Sequence, residues 1–223
     1  MIPRPFILAG LLMVGTLSTG CLGRLYDQIY YSARETLGDE KRDILVDRVV
    51  TARTEQQAAA TQFRDALEEF RSVVTVRAGE LEARYDNLNT EYNRCKERAD
   101  KVASRVDAIE DVSEALFREW RNELDEYQNQ DLRRRSERQL DDTRRQYDRM
   151  IDAMRRAEKS MDPVLAAFRD QVLFLKHNLN AAAIASLQGE FGALEGDINN
   201  LIAEMDASIA EADKFLARMQ TTE

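Results

Sequence analysis

The sequence predicts an all-α fold: an elongated antiparallel helical bundle or coiled coil of about four long helices, plus a short N-terminal helix. Three observations predict it. Backbone breakers are scarce, since proline occurs only at Pro3, Pro5 and Pro163, and no glycine lies between Gly79 and Gly189. Charged residues make up 33% of the chain with both signs interleaved, the composition of solvated helices carrying narrow apolar stripes. The third observation is a seam read in alternating steps of four and three. It runs through Leu81, Tyr85, Leu88, Tyr92, Cys95, Ala99, Val102, Val106, Ile109, Ser113, Leu116, Trp120, Glu123 and Tyr127, largely apolar throughout.

In chain order, residues 1–20 read as a signal peptide of lipoprotein type. Arg4 precedes an apolar run from Phe6 to Val14, and Leu17-Ser18-Thr19-Gly20 leads into Cys21. A single charge, a short apolar core and small residues before a cleavage point make an export signal too short to span a bilayer comfortably. Cys21 is the expected lipid-attachment site, and Leu22 after it, rather than Asp, resembles lipoproteins sorted to the outer membrane. Residues 21–38 then form a tether and a short amphipathic helix in which Tyr26, Tyr30, Ala33 and Leu37 recur at helical spacing, ended by Gly38.

Residues 39–219 are the bundle. Asp39 is placed to cap a helix from about Glu40 to Val74 whose seam is Leu45, Val49, Ala52, Gln56, Ala59, Phe63, Ala66, Phe70 and Val73. Gln56 is its polar interruption, of the kind that fixes register. A turn at Arg77-Ala78-Gly79 leads into the Leu81–Tyr127 seam, and Asp131 is expected to cap the next helix, from about Leu132 to His177. Its seam is Ser136, Leu140, Thr143, Tyr147, Met150, Met154, Ala157, Met161, Val164 and Phe168, and Pro163 is expected to kink it or to start a new helix capped by Asp162. The last helix, from about Ala181 to Met219 with Asn180 as cap, carries Leu187, Phe191, Leu194, Ile198, Leu201, Met205, Ser208, Ala212 and Phe215. Residues 220–223 are a tail. Loops of a few residues make successive helices antiparallel.

Few constellations point to chemistry. Ala182, Ala185, Gly189, Gly192 and Gly196 form a small-residue stripe about 200° round the last helix from the Leu187 seam. Each interior glycine costs about 1 kcal/mol relative to alanine, so Ala185, Gly189, Gly192 and Gly196 are the candidate helix–helix or oligomer contact. Packing within the bundle is expected ahead of self-association. Nine arginines between Arg133 and Arg156 are interleaved with Glu137, Asp141, Asp142, Asp148 and Asp152 and read as a solvated face. Anionic lipid, peptidoglycan carboxylates and nucleic acid are the partners such a patch suggests. His177 is the only histidine, too few for a metal cluster, and reads as capping carbonyls near a helix end; Trp120 reads as core. Cys95 falls on the seam as a small apolar side chain.

The formal charge is −9, and removal of residues 1–20, charged only at Arg4, takes it to −10, which disfavours nucleic acid. There is neither a phosphate-binding G-x-x-x-x-G-K-[ST] loop nor a G-x-S-x-G nucleophile turn, so catalysis, cofactors and metals are not expected. YYSARETLGDEKRDILVDRV at Tyr30 to Val49, EALFREW at Glu114 to Trp120, and MDPVLAAFRDQVLFLKHNLNAAAIASL at Met161 to Leu187 resemble the bacterial DUF2959 family. That family is uncharacterised, so the resemblance supplies no site residues. The expectation is a non-enzymatic periplasmic protein held by its N-terminal lipid at the inner leaflet of the outer membrane, with the inner membrane as the less favoured address. It acts as a spacer, scaffold or docking surface with another envelope protein as partner, or a second copy of itself. The alternative is a binding module taking a lipid or amphipathic helix in the bundle interior or in a groove beside Pro163; an oversized cavity lined by Met150, Met154, Phe168 and Phe174 would favour it, and a fully packed interior the scaffold.

Overall fold

Four helices account for nearly all of the chain that the computed structural model describes, residues 41–75, 81–178 and 180–220. They are α1 (Lys41–Thr75), α2 (Leu81–Glu123), α3 (Gln130–His177) and α4 (Ala181–Gln220), with one 3-10 turn at Leu124–Glu126 between α2 and α3. No strand occurs among the described residues. Residues 1–40, 76–80, 179 and 221–223 lie outside them, so the expected signal peptide, tether with its short helix, Asp39 cap and Arg77-Ala78-Gly79 turn do too.

The seams explain the packing. Every seam position named on α1, from Leu45 to Val73, is fully buried. Burying one such Leu, Val or Phe side chain is worth roughly 1.5–3 kcal/mol, which outweighs any single surface pair. α1 packs on α2 and α4, and α3 packs on the same two helices. Cross-pairs show that the neighbours are antiparallel. Glu55 meets Arg98 at 3.2 Å while Lys41 meets Glu119 at 2.9 Å, and on the other flank Arg53 meets Asp213 at 2.5 Å while Arg71 meets Glu195 at 2.6 Å.

Two aromatic layers tie helices together. Phe70 of α1 lies 6.3 Å from Phe168 of α3 and 5.6 Å from Phe191 of α4, and Tyr92 of α2 lies 5.8 Å from Phe168. The second layer joins Phe117 to Tyr147 at 5.3 Å and Tyr147 to Phe215 at 6.5 Å between ring centroids. Such edge and offset pairs add about 0.5–1.5 kcal/mol each beyond the area they bury.

Local details differ from the sequence expectations in instructive ways. The end of α2 and the 3-10 turn after it bury Val112, Phe117 and Leu124, whereas Leu116 and Trp120 are half-buried and Glu123 and Tyr127 are exposed. A helix of 3.6 residues per turn drifts about 20° per heptad from a strict seam, and six heptads move the buried line by one residue. Trp120 keeps its edge polar by donating from Nε1 to Ser136 Oγ at 2.8 Å. The cap of α3 is Asn129, not Asp131: its Oδ1 accepts from the amides of Asp131 at 2.9 Å and Leu132 at 3.2 Å. Asn180 caps α4 as expected, accepting from Ala183 N at 3.1 Å. Pro163 does not start a new helix. α3 is a single helix through it, and because Pro163 and Lys159 are both exposed, water can reach the carbonyl that the missing amide leaves without its helical partner.

Candidate functional site

Four places on the bundle concentrate the residues that the sequence singles out, and each is built differently. The first is internal. Gln56 and Ser208 are both fully buried, and Ser208 Oγ donates to Gln56 Oε1 at 2.9 Å, joining α1 to α4. Gln56 Nε2 is buried without a protein partner. An unpaired buried amide donor costs about 1–3 kcal/mol, so this pair specifies alignment at the expense of stability. Gln56 is visible in the sequence as a polar break in an apolar seam. Ser208 is visible only as another seam residue, because nothing local announces that the two meet across the bundle.

The second is the small-residue stripe. Ala182, Ala185, Gly189, Gly192 and Gly196 are all exposed on α4, and a Cβ added at any of the three glycines meets nothing within 4 Å. The expected contact with another helix of the bundle is therefore not made among the described residues. The seam around Leu187 already satisfies α4's two neighbours, and the face 200° away points outward.

The third is a groove between α2 and α3 beside Pro163, of about 270 Å³, whose lining includes Tyr92, Ala99, Met161, Leu165 and Arg169. Of the residues whose cavity would favour a binding module, Met150, Met154 and Phe168 are fully buried and Phe174 is 39% exposed.

The fourth is polar. Arg135, Arg138, Gln139, Asp142, Thr143 and Gln146 of α3, with Arg218 and Met219 of α4, line an open groove of about 410 Å³. Most arginines nearby are engaged. Arg133 pairs with Asp125 at 3.0 Å, Arg134 with Asp131, Arg145 with Asp142, and Arg144 lies 5.6 Å from the centre of the Phe117 ring. Arg155 bridges α3 to α2, meeting Asp107 at 2.6 Å and Glu110 Oε1 at 3.0 Å, with Glu158 on its own helix at 2.7 Å. These contacts hold its guanidinium more firmly charged than usual. Arg135 and Arg138 make no ion pair among the described residues. The arginine-rich face is thus partly ordinary ion pairing, as expected, and partly a basic groove. The sequence gives no hint of the groove, since Arg218 joins it from the far end of α4.

Two buried ionisable groups complete the interior. Cys95 is fully buried with Sγ 3.6 Å from the carbonyl of Gln62, and burial pushes its thiol well above the usual range, which keeps it protonated and inert. Burial also pushes Tyr147 up to about 12, against a hydrogen bond from the Ser113 side chain that acts the other way. Among the described residues, no group of three or more His, Cys, Asp or Glu is placed to hold a metal ion. No helix there is long and apolar enough to cross a membrane. Cys21 lies outside the described residues, and His177 closes α3 as an exposed residue.

The family model for a protein of unknown function, DUF2959, matches residues 30–219. The chain belongs to the DUF2959 family. In this DUF2959 protein the match takes in all four helices and both grooves. No curated protein and no solved structure matches the chain.

Proposed function

We propose that this DUF2959 protein is a lipid-anchored periplasmic scaffold or spacer without catalytic activity, held at the inner leaflet of the outer membrane through Cys21. The observation that carries this reading is the N-terminal pattern: Arg4, the apolar run Phe6–Val14 and small residues leading to Cys21 and Leu22. Four helices of 35 to 48 residues support the spacer role, since about 1.5 Å per residue gives each a length of roughly 52–72 Å. Burial of Met150, Met154 and Phe168 on one seam supports a continuous apolar interior along the rod. Its partner is another envelope protein. The runner-up, a docking module for an amphipathic helix, draws on the groove beside Pro163, where Met161 and Leu165 offer an apolar floor between Lys96 and Arg169.

Labelling of cells with a radioactive fatty acid tests the anchor. The label enters the native chain and is absent from Cys21→Ser; label retained in Cys21→Ser overturns the assignment. Proximity crosslinking from the bundle in intact cells tests the role. Captured envelope proteins support the scaffold, and crosslinks confined to cytoplasmic proteins contradict it.

A further inference from the structure

We infer that the groove between the N-terminal half of α3 and the C-terminal end of α4 binds the phosphodiester of an anionic phospholipid headgroup, resting on the envelope-anchored reading above. Three arginines line it: Arg135 and Arg138, one turn apart on α3, and Arg218 of α4. Planar guanidiniums bind phosphate oxygens in pairs, and Gln139, Thr143 and Gln146 add neutral donors along the same wall. Among the described residues lining the groove Asp142 is the only carboxylate, and it is engaged by Arg145. Among the described residues Arg135 and Arg138 have no anionic partner, in a protein of net charge −9 where carboxylates abound. A volume of about 410 Å³ is ample for a phosphate and its glycerol linkage, and the open side suits a group presented from a surface.

The location fits a membrane source. α1 begins at the end of the bundle where α2 ends and α3 begins, as the Lys41–Glu119 pair shows, and the groove lies at that end. In sequence, Lys41 is 20 residues from Cys21, a tether of about 70 Å at full extension. A lipid on Cys21 joins the bundle through the start of α1, which lies at this end, and each added cation strengthens attraction to an anionic surface.

The test uses the full chain produced without lipidation and vesicles of phosphatidylcholine with or without phosphatidylglycerol, read by co-sedimentation. The native chain prefers the anionic vesicles, and Arg135→Gln/Arg138→Gln loses about tenfold in apparent affinity. Arg149→Gln/Arg156→Gln removes the same charge from outside the groove and loses less than about threefold. Far-UV circular dichroism and melting of both pairs match the native chain. Equal losses from the two pairs overturn the groove, leaving diffuse surface charge. No preference for anionic vesicles also overturns it. Displacement from the vesicles by millimolar inorganic phosphate, with equal affinity for the free ion, overturns the lipid source. None of these outcomes depends on acylation, so fatty-acid labelling of Cys21 fails or succeeds separately.

Discussion

α1 and α4 carry the same helical periodicity, yet they end in opposite situations. All nine seam residues of α1, Leu45 to Val73, face inward and are fully buried, including the polar Gln56. α4 has an equally regular inner seam from Leu187 to Phe215 and, on its far side, a second regular line of Ala182, Ala185, Gly189, Gly192 and Gly196 that nothing within the described residues covers. Periodicity reports which residues share a face. It does not report whether a neighbour exists for that face. Two neighbours suffice to seat α4 in a bundle where α2 and α3 complete the ring.

The largest expected effect probes the filled side. Phe70→Ala removes a ring that contacts Phe168 and Phe191 and lowers stability by about 3–5 kcal/mol, measured by urea unfolding. Phe191, half-buried, costs less when truncated, which ranks the two seams directly.

Next in size is a pH effect on the same interior. Tyr147 is neutral up to about 12 in the folded chain and titrates near 10 when unfolded, so its contribution is complete below pH 10 and is lost as pH rises to 12. Two pKa units correspond to about 2.7 kcal/mol. Cys95, also raised, adds a loss that begins near pH 9. Melting temperature therefore falls above pH 9, and Tyr147→Phe flattens the part of that fall above pH 10.

On the uncovered side the sign reverses. Gly189→Ala/Gly192→Ala/Gly196→Ala stabilises by about 2 kcal/mol in total, because each glycine is helical and its added Cβ meets nothing. A drop in melting temperature instead would mean that the face is covered by a second copy. The smallest effects come from the polar pair. Ser208→Ala leaves Gln56 Oε1 without its hydroxyl donor and costs about 1–2 kcal/mol, whereas Gln56→Leu/Ser208→Ala is neutral or stabilising. Thermal melts of the two variants distinguish them.

What could be read from the sequence follows from how local each signal is. The α1 seam, the bounds of α1 and α4, and the cap at Asn180 are local patterns, and the structure bears them out. Asn129 took the cap expected of Asp131 because a 3-10 turn shortened α2, and turn geometry is set by packing of Leu124 rather than by periodicity. Trp120 is half-buried because the seam drifts with the true helical repeat. The basic groove is not a local pattern at all. Arg135 and Arg138 stand among eight other arginines on the same helix, and only the antiparallel return of α4 sets Arg218 beside them. Gln56 was legible as an oddity and Ser208 was not legible as its partner, since a register across helices is a property of the fold and not of either segment.

The contrast between the two faces of α4 and the seam of α1 is tested most directly by cysteine accessibility in the full chain carrying Cys21→Ser. Ala59→Cys and Gly192→Cys are compared for their rate of maleimide labelling, with buried Cys95 as the internal standard. The structure predicts rapid labelling at position 192 and labelling at 59 as slow as that of Cys95. Comparable protection at 59 and 192 that persists on dilution would contradict it, because the glycine face would then be buried within a single chain.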